Sequence, residues 1–283
     1  MLSAGPLSQF SEEARGHYDA LLAVASRSVI GLDFDGTLAP VVDDPEEARI
    51  HPDAGSVLAR LGGLVRAVAV VTGRPARQAV ALGDLDVVGA ALQEKGTELF
   101  VLGQYGNERW TSTERRILSP RPPAGLASFE RELPSVLRAA DAADAYIEEK
   151  GLAIAVHTRR LPDAAEAFER VVKPIAELSV KHRLAVEPGR LVVEVRSGER
   201  HKGHAVMQLA EECEAEGFFF AGDDLGDVEA FEAVLRLRAK GLAGLLVCSA
   251  SDEEAALAEL GDVVVDGPHG VMELLSQLAD DLA

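Results

Sequence analysis

The sequence predicts an α/β fold: a buried parallel sheet flanked by helices, interrupted by an inserted α+β unit. Three observations lead to this prediction. Apolar runs alternate with helical patterns in both outer regions of the chain, the middle region has a different pattern, and the two kinds of region differ in net charge. The 283 residues, 47% of them hydrophobic, can form large cores, and this length is typical of about two domains.

Continuous apolar runs in the outer regions predict the strands of the sheet. They lie at 28–32, 65–71, 87–91 (a weaker run), 218–221, 245–248 and 263–265. Helical patterns separate these runs, at 75–82, 202–216 and 227–240. A strand covered on both faces is apolar throughout, and helices between such strands favour parallel pairing.

The middle region opens with a proline-rich link at 120–123 and has another order of elements. Its predicted elements are a helix at 125–141, strands at 145–149 and 152–159, a helix at 162–181, and strands at 183–187 and 190–196. Pro188 and Gly189 between the last two strands indicate a tight turn. The order αββαββ predicts an antiparallel sheet with two helices on one face.

The distribution of charge supports the same division. Residues 115–198 carry a net charge of +2, while 1–114 and 199–283 together carry −21. We therefore predict one domain from 1–114 with 199–283, and a second from 115–198. The total of −19 argues against binding to nucleic acid or to an anionic membrane, since both need a basic surface.

Cysteine usage and the N-terminal region predict a cytoplasmic protein. Cys213 and Cys248 are too few for a disulfide framework and form no CxxC pair. The first residues lack the pattern of a signal peptide, and no apolar run is long enough to cross a membrane.

Polar side chains capable of phosphate chemistry follow three of the predicted strands. They are Asp33 and Asp35, then Thr72, then Asp223 with Asp224, and Lys202 opens a helix before the last of them. Ligands of an open parallel sheet bind beyond the carboxyl ends of its strands. Clustered carboxylates repel each other unless a cation lies among them, and oxygen ligands suit Mg²⁺ together with a phosphate group.

These residue types fit the hydrolysis of a phosphate ester. One carboxylate can attack phosphorus, and a second carboxyl group two residues further on can give the leaving alcohol its proton. Thr72 and Lys202 would hold the phosphate oxygens. Each motif alone is compatible with an ordinary turn or helix cap. Their joint occurrence at successive strand ends favours the functional interpretation.

The motifs resemble those of a known superfamily. The segments Asp-Phe-Asp-Gly-Thr-Leu at 33–38, Thr-Gly-Arg at 72–74, Lys-Gly at 202–203 and Gly-Asp-Asp-Leu-Gly-Asp at 222–227 are similar to the four motifs of the haloacid-dehalogenase superfamily. Within this superfamily, the middle segments 148–159 and 189–196 resemble those of the trehalose-6-phosphate phosphatase family. The resemblance implies a Rossmann-like hydrolase core with an inserted cap domain.

The same resemblance implies roles for particular residues of the core. Asp33 matches the nucleophile and Asp35 the general acid/base. The phosphate-binding positions correspond to Thr72, Gly73 and Lys202. The Mg²⁺ ligands correspond to Asp33, the backbone carbonyl of Asp35, and Asp223, and the residues that support them correspond to Asp224 and Asp227.

The cap would recognise the sugar of trehalose 6-phosphate, which the enzyme would hydrolyse to trehalose and phosphate. Its substrate-binding positions correspond to Glu148, Lys150, Arg159, Arg190 and Glu194. Each of these could instead be a solvated charge pair on a strand. The alternatives in function are a related capped phosphatase of sucrose phosphate, mannosyl-phosphoglycerate or a hexose phosphate, and a non-catalytic subunit that binds a sugar phosphate.

Two further positions bear on this resemblance. Tyr105 stands where the family has a histidine in a Gly-x-His-Gly segment. His157 alternates with apolar residues on a predicted strand, and we expect it to be packed or locally hydrogen-bonded.

Overall fold

The computed structural model of the protein describes residues 10–42, 44–189, 191–198, 200–250 and 255–283. Its strands are β1 (Ser28–Leu32), β2 (Ala67–Val71), β3 (Glu98–Gly103), β4 (Glu108–Thr111), β5 (Tyr146–Glu149), β6 (Ala153–His157), β7 (Ala185–Gly189), β8 (Val192–Arg196), β9 (Gly217–Gly222), β10 (Ala243–Ser249) and β11 (Val263–Val265). Its α-helices are α1 (Glu12–Ala23), α2 (Ala54–Leu61), α3 (Ala76–Leu82), α4 (Leu85–Gln93), α5 (Leu126–Ala139), α6 (Ala164–Lys181), α7 (Lys202–Glu212), α8 (Val228–Arg238), α9 (Ala255–Leu260) and α10 (Gly267–Asp281).

The chain forms two compact units. The first, unit 1, contains the described residues up to Ser119 and those from His201 onward, and the second, unit 2, extends from Pro120 to Arg200. Unit 1 is therefore assembled from both ends of the chain, with unit 2 inserted between them. None of the helices in the described ranges has the length and apolar character needed to span a membrane.

Unit 1 is built on a seven-stranded sheet with the order β11-β10-β9-β1-β2-β3-β4. All neighbouring strands pair in parallel except β3 and β4, which are antiparallel. Every residue of β1, β2 and β9 is buried, as expected for central strands covered on both faces. The carboxyl ends of these three neighbours consequently lie side by side at one edge of the sheet.

The predicted fold class is confirmed, but one predicted strand is wrong. Residues 87–91 lie within α4. The residues of α4 that are buried are Leu85, Val88, Gly89 and Leu92, which recur at helical spacing, while Val87 is 65% exposed. A central strand would bury every residue, so this periodicity is that of a helix with one apolar face. The strand beside β2 is β3, which the sequence analysis missed although its run 99–102 is apolar throughout.

Unit 2 contains a four-stranded antiparallel sheet with the order β5-β6-β8-β7. Helices α5 and α6 cover one face, where Phe129 and Ile175 pack against Ile154 and Val193. The strand residues whose side chains point away from these helices form a second face of the sheet. Glu148 and Glu194 belong to this face, which we call the polar face of unit 2. Both glutamates are cross-strand partners of Ala155, so their side chains lie on the same side of the sheet.

The turn predicted at Pro188 and Gly189 is wrong. Both residues belong to β7, where they pair with Val193 and Val192 of β8. Proline lacks the N–H group that a central strand needs, but β7 is at the edge of its sheet, where one side of the backbone has no strand partner. The edge position therefore explains how a turn-forming sequence continues a strand.

Leu133 tests whether the core of unit 2 contributes to stability. It is fully buried on α5, so Leu133→Ala should lower the free energy of unfolding by about 2–5 kcal/mol. Val180 is 76% exposed in the same unit, and Val180→Ala should change it by less than about 0.5 kcal/mol. Urea unfolding monitored by circular dichroism measures both, and equal effects of the two variants would contradict the described core.

Candidate active site

Asp33 lies directly beyond β1 and is buried. Its backbone N–H donates to the carbonyl of Ala221 on the neighbouring strand β9, at 2.9 Å, so the parallel pairing extends to the acidic residue itself. Its Oδ1 atom lies 2.8 Å from Nζ of Lys202, although not with hydrogen-bond geometry. A buried carboxylate with an incompletely bonded oxygen is poised either to bind a cation or to react.

Lys202 and Asp227 form the second part of the site. Lys202 is the first residue of α7, and its Nζ donates to Asp227 Oδ1 at 2.8 Å. The other oxygen of Asp227 accepts from the backbone N–H groups of Asp223 and Asp224, at 3.1 and 3.4 Å. Asp227 therefore orients the lysine with one oxygen and the loop after β9 with the other.

Gly36 allows the acidic loops after β1 and β9 to approach each other. Its φ angle is +66°, and a Cβ atom at this position would lie 1.9 Å from Oδ2 of Asp223. Only glycine satisfies both conditions. Its carbonyl accepts a hydrogen bond from Oγ of Ser249, at 2.6 Å, which ties the same loop to the end of β10.

The site can hold a divalent cation. Within the described part of the chain, one oxygen each from Asp33, Asp223 and Asp227 lies within 4.8 Å of the others, and all three residues are buried. Both oxygens of Asp227 already accept hydrogen bonds from Lys202 or the backbone. Asp33 and Asp223 are therefore the better-placed ligands, and the oxygen donors suit a hard cation. The carboxylate of Asp35 is not part of this cluster.

The pKa values of all three clustered carboxyl groups are raised, and burial is the largest cause. Burial raises the pKa of Asp33, and Lys202 only partly opposes this. Burial, together with Asp224 and Asp227, raises the pKa of Asp223 to about 8. Burial also raises the pKa of Asp227 to about 6 against the opposing effect of Lys202. Burial alone would lower the pKa of Lys202, but Asp227 and Asp33 hold it well above its usual value.

Thr72 lies at the end of β2, beside the acidic loops. It is buried, and its Oγ1 accepts from the backbone N–H of Arg74, at 3.1 Å. The loop of Thr72, Gly73 and Arg74 is held from the other side by the turn after β3. There the N–H of Tyr105 donates to the carbonyl of Thr72 at 3.0 Å, and the N–H of Gln104 to that of Arg74 at 2.8 Å.

The turn after β3 adopts an unusual backbone. Gln104, Tyr105 and Gly106 have φ angles of +47°, +60° and +87°. Positive φ angles are unfavourable for residues other than glycine. The ring of Tyr105 lies against Gly73, where a Cβ atom would be 3.0 Å from its hydroxyl oxygen. Tyrosine in place of the family's histidine is thus in direct contact with the loop that carries Thr72.

Asp35 is held by a residue that the sequence analysis did not assign to the site. The guanidinium of Arg74 donates from Nε to Asp35 Oδ2 at 2.7 Å and from Nη2 to Oδ1 at 2.6 Å. Arg74 was visible in the sequence as the third residue of the Thr-Gly-Arg motif. Its partner could not be inferred, because the two residues lie on different loops.

On the polar face of unit 2, three of the predicted substrate residues, Glu148, Lys150 and Glu194, have close polar partners. Nζ of Lys150 donates to Glu194 Oε2 at 2.6 Å. Oε2 of Glu148 lies 2.9 Å from Nε2 of His157, whose ring also lies against that of Tyr146. His157 is locally hydrogen-bonded as expected, but with a predicted substrate residue. That contact depends on the register of β5 and β6, which the sequence did not specify.

The sequence also predicts two arginines of the middle region as substrate-binding residues. Arg159 is exposed and follows β6. Arg190 lies outside the described residues. Asp224 of unit 1 is also exposed, and it caps the turn at Leu225–Asp227 through its side chain.

Solved structures establish the class of fold. A haloacid dehalogenase-like hydrolase from Bacteroides thetaiotaomicron superimposes with a TM-score of 0.62 at 15% identity, over 88% of this chain and 98% of that one. The C-terminal domain of Candida albicans trehalose-6-phosphate phosphatase gives a TM-score of 0.73 at 18% identity, over 99% of both chains. The protein thus has the fold of the haloacid-dehalogenase-like hydrolases.

Sequence comparison then identifies the family. The Trehalose-phosphatase family profile matches residues 134–262. A probable trehalose-phosphate phosphatase of Sinorhizobium fredii is 31% identical over 214 residues, which are 73% of each chain. The chain belongs to the trehalose-phosphatase family, which confirms the resemblance found in the sequence.

Other relatives are much longer proteins. Among the curated proteins that match are uncharacterized glycosyl hydrolases of Mycobacterium tuberculosis, 28% identical over 272 residues. The match covers 92% of this chain but only 19% of those proteins.

The raised pKa of Asp223 predicts how stability depends on pH. Without a cation, the folded protein keeps this proton up to about pH 8, while the unfolded chain loses it near 3.8. Stability should therefore decrease as the pH rises from about 4 to 8. Asp223→Asn should weaken this decrease, whereas Asp86→Asn, on the exposed side of α4, should not. Thermal unfolding in EDTA measures the effect, and identical pH slopes for Asp223→Asn and wild type would contradict it.

Proposed function

We propose that the protein is a Mg²⁺-dependent phosphatase that hydrolyses trehalose 6-phosphate to trehalose and phosphate through an aspartyl-phosphate. The observation that supports this most strongly is the position of buried Asp33 beside Lys202. Asp223 and Thr72 stand at the ends of the two strands that flank β1. Membership of the trehalose-phosphatase family supports the substrate.

The first step transfers the phosphoryl group to Asp33. A carboxylate oxygen of Asp33 attacks phosphorus, and the bond between phosphorus and the sugar oxygen breaks. The departing oxygen takes a proton from the carboxyl group of Asp35 and leaves as an alcohol. Lys202 and Thr72, together with the N–H of Gly73, stabilise the charge on the phosphate oxygens.

The second step returns the enzyme to its starting state. Asp35, now a carboxylate, accepts a proton from water as that water attacks phosphorus, and the acyl-phosphate bond to Asp33 breaks. Inorganic phosphate leaves, Asp33 is again a carboxylate and Asp35 again carries its proton. When bound to Asp33, the backbone carbonyl of Asp35 and Asp223, Mg²⁺ supplies positive charge that lets an anionic phosphate approach an anionic nucleophile.

We further propose a division of roles along the chain, with 1–114 and 199–283 as the catalytic domain and 115–198 as the cap. The charged side chains of the polar face of unit 2 would bind the sugar hydroxyls. Acid–base pairs such as Lys150 with Glu194 can each exchange one partner for a hydroxyl group, which both donates and accepts hydrogen bonds.

A substrate panel tests the proposed reaction. Phosphate release is measured from trehalose 6-phosphate, sucrose phosphate, mannosyl-phosphoglycerate and glucose 6-phosphate, each with Mg²⁺ and with EDTA. We expect hydrolysis of trehalose 6-phosphate only with Mg²⁺, and at the highest kcat/KM of the panel. Equal rates across the panel would contradict the substrate, and binding without turnover would indicate a non-catalytic protein.

Asp33→Asn tests the nucleophile. The amide keeps the size of the side chain but cannot form the acyl-phosphate, so turnover of every ester should fall by at least ~10³-fold. The control Asp86→Asn, on the exposed surface of α4, should retain wild-type activity. A folded Asp33→Asn protein that still shows Mg²⁺-dependent turnover would rule out the mechanism.

Glu148→Gln tests sugar recognition by unit 2. Loss of a charged hydrogen-bonding partner should raise KM for trehalose 6-phosphate by about 10- to 150-fold, since such bonds contribute about 1.5–3 kcal/mol. Hydrolysis of 4-nitrophenyl phosphate, which has no sugar, should not change. Glu149→Gln, at the exposed neighbouring position, is the matched control. Parallel losses on both esters would argue against a role in sugar binding.

A further inference from the structure

Arg74 makes three contacts that converge near the reacting groups. Besides its paired hydrogen bonds to Asp35, its Nη1 donates to the carbonyl of Pro45 at 2.7 Å. Its guanidinium carbon lies 5.3 Å from the centre of the Phe34 ring, within the range of a cation–π contact. The arginine side chain is only 10% exposed, whereas that of Asp35 is 41% exposed.

The backbone of Arg74 is as firmly placed as its side chain. Its N–H donates to Oγ1 of Thr72 and its carbonyl accepts from the N–H of Gln104. Arg74 therefore connects two loops. Its backbone belongs to the loop that carries Thr72, and its guanidinium group binds Asp35 in the loop after β1. Because both its backbone and its guanidinium group are held, the Arg74 side chain fixes the position of Asp35 relative to the loop of Thr72.

We propose that Arg74 is a positioning residue for Asp35: it holds the carboxyl group at the orientation needed for proton exchange with the leaving oxygen and with water. This inference rests on the proposed function. A carboxylate on a short side chain rotates freely in water. Two parallel N–H···O bonds from a planar guanidinium restrict both its torsion angles, a restriction that a lysine cannot supply.

The geometry distinguishes this role from direct phosphate binding. Three of the five N–H groups of Arg74 are used by Asp35 and Pro45. The guanidinium carbon lies over the ring of Phe34. In the proposed role, Arg74 acts on the phosphate through Asp35. Its loss should consequently affect the proton-dependent step more than the binding of the phosphate group.

Leaving groups of different basicity separate these roles. The sugar oxygen of trehalose 6-phosphate needs a proton to leave, while 4-nitrophenolate leaves without one. For Arg74→Ala we expect kcat for trehalose 6-phosphate to fall about 10²-fold, as for loss of an acid–base catalyst. The KM should change less than threefold. The pre-steady-state burst of 4-nitrophenolate should keep its rate, because it reports only attack by Asp33.

Matched variants complete the experiment. Arg77→Ala, on the exposed side of α3, should behave as wild type. Arg74→Lys keeps the charge without the paired geometry and should fall between wild type and Arg74→Ala. If Arg74→Ala does not fold, the same measurements on Arg74→Lys test the inference. In an Asp35→Asn background, Arg74→Ala should cost less than a further twofold, because the two residues act in series.

Three results would overturn the inference. Equal losses on the sugar ester and in the 4-nitrophenolate burst would indicate a general structural role. A KM raised tenfold for both esters would indicate phosphate binding. A further tenfold loss in the Asp35→Asn background would show that Arg74 acts independently of Asp35. If wild type hydrolyses neither ester, the proposed function itself is wrong and the inference falls with it.

Discussion

The architecture of the site follows from the cost of burying several carboxylates together. Asp33, Asp223 and Asp227 lie within a few ångströms of one another, away from water. Lys202 compensates only part of their charge, and backbone N–H groups compensate another part through Asp227. The sheet order makes this concentration of charge possible, because parallel pairing of β1 with β9 directs both strands towards the same edge. Part of the negative charge of the carboxylates remains uncompensated, and a bound cation can balance it.

The charged side chains on the polar face of unit 2 are stabilised in a different way. On this face, Lys150 donates to Glu194, and Glu148 lies within hydrogen-bond distance of His157. Such pairs keep the groups satisfied when no ligand is present. They also limit affinity, because a sugar must replace interactions that already exist. Specificity then comes from how well a ligand's hydroxyl pattern substitutes for the broken pairs.

Sequence patterns predicted features that depend on local periodicity or on strand ends. The runs of β1 and β9 were recognisable because nearly all of their residues are apolar, and Asp33 was recognisable because it follows such a run. The error at 87–91 arose because a short apolar run fits a buried helix as well as a strand. The pairing of Arg74 with Asp35 depends on how two distant loops meet, and that of His157 with Glu148 on strand register. Neither is encoded within a window of neighbouring residues.

The insertion of unit 2 has a consequence for synthesis on the ribosome. β1 emerges early, but its partner β9 is made only after all of unit 2. Asp33 therefore leaves the ribosome long before Lys202 and Asp223 exist. Among the strands that the structure describes, those of unit 2 pair with one another and not with strands of unit 1. Unit 2 can therefore fold during translation before β9 is available to pair with β1. During that interval, one side of β1 is an unpaired strand edge, which can pair with another chain until β9 is made.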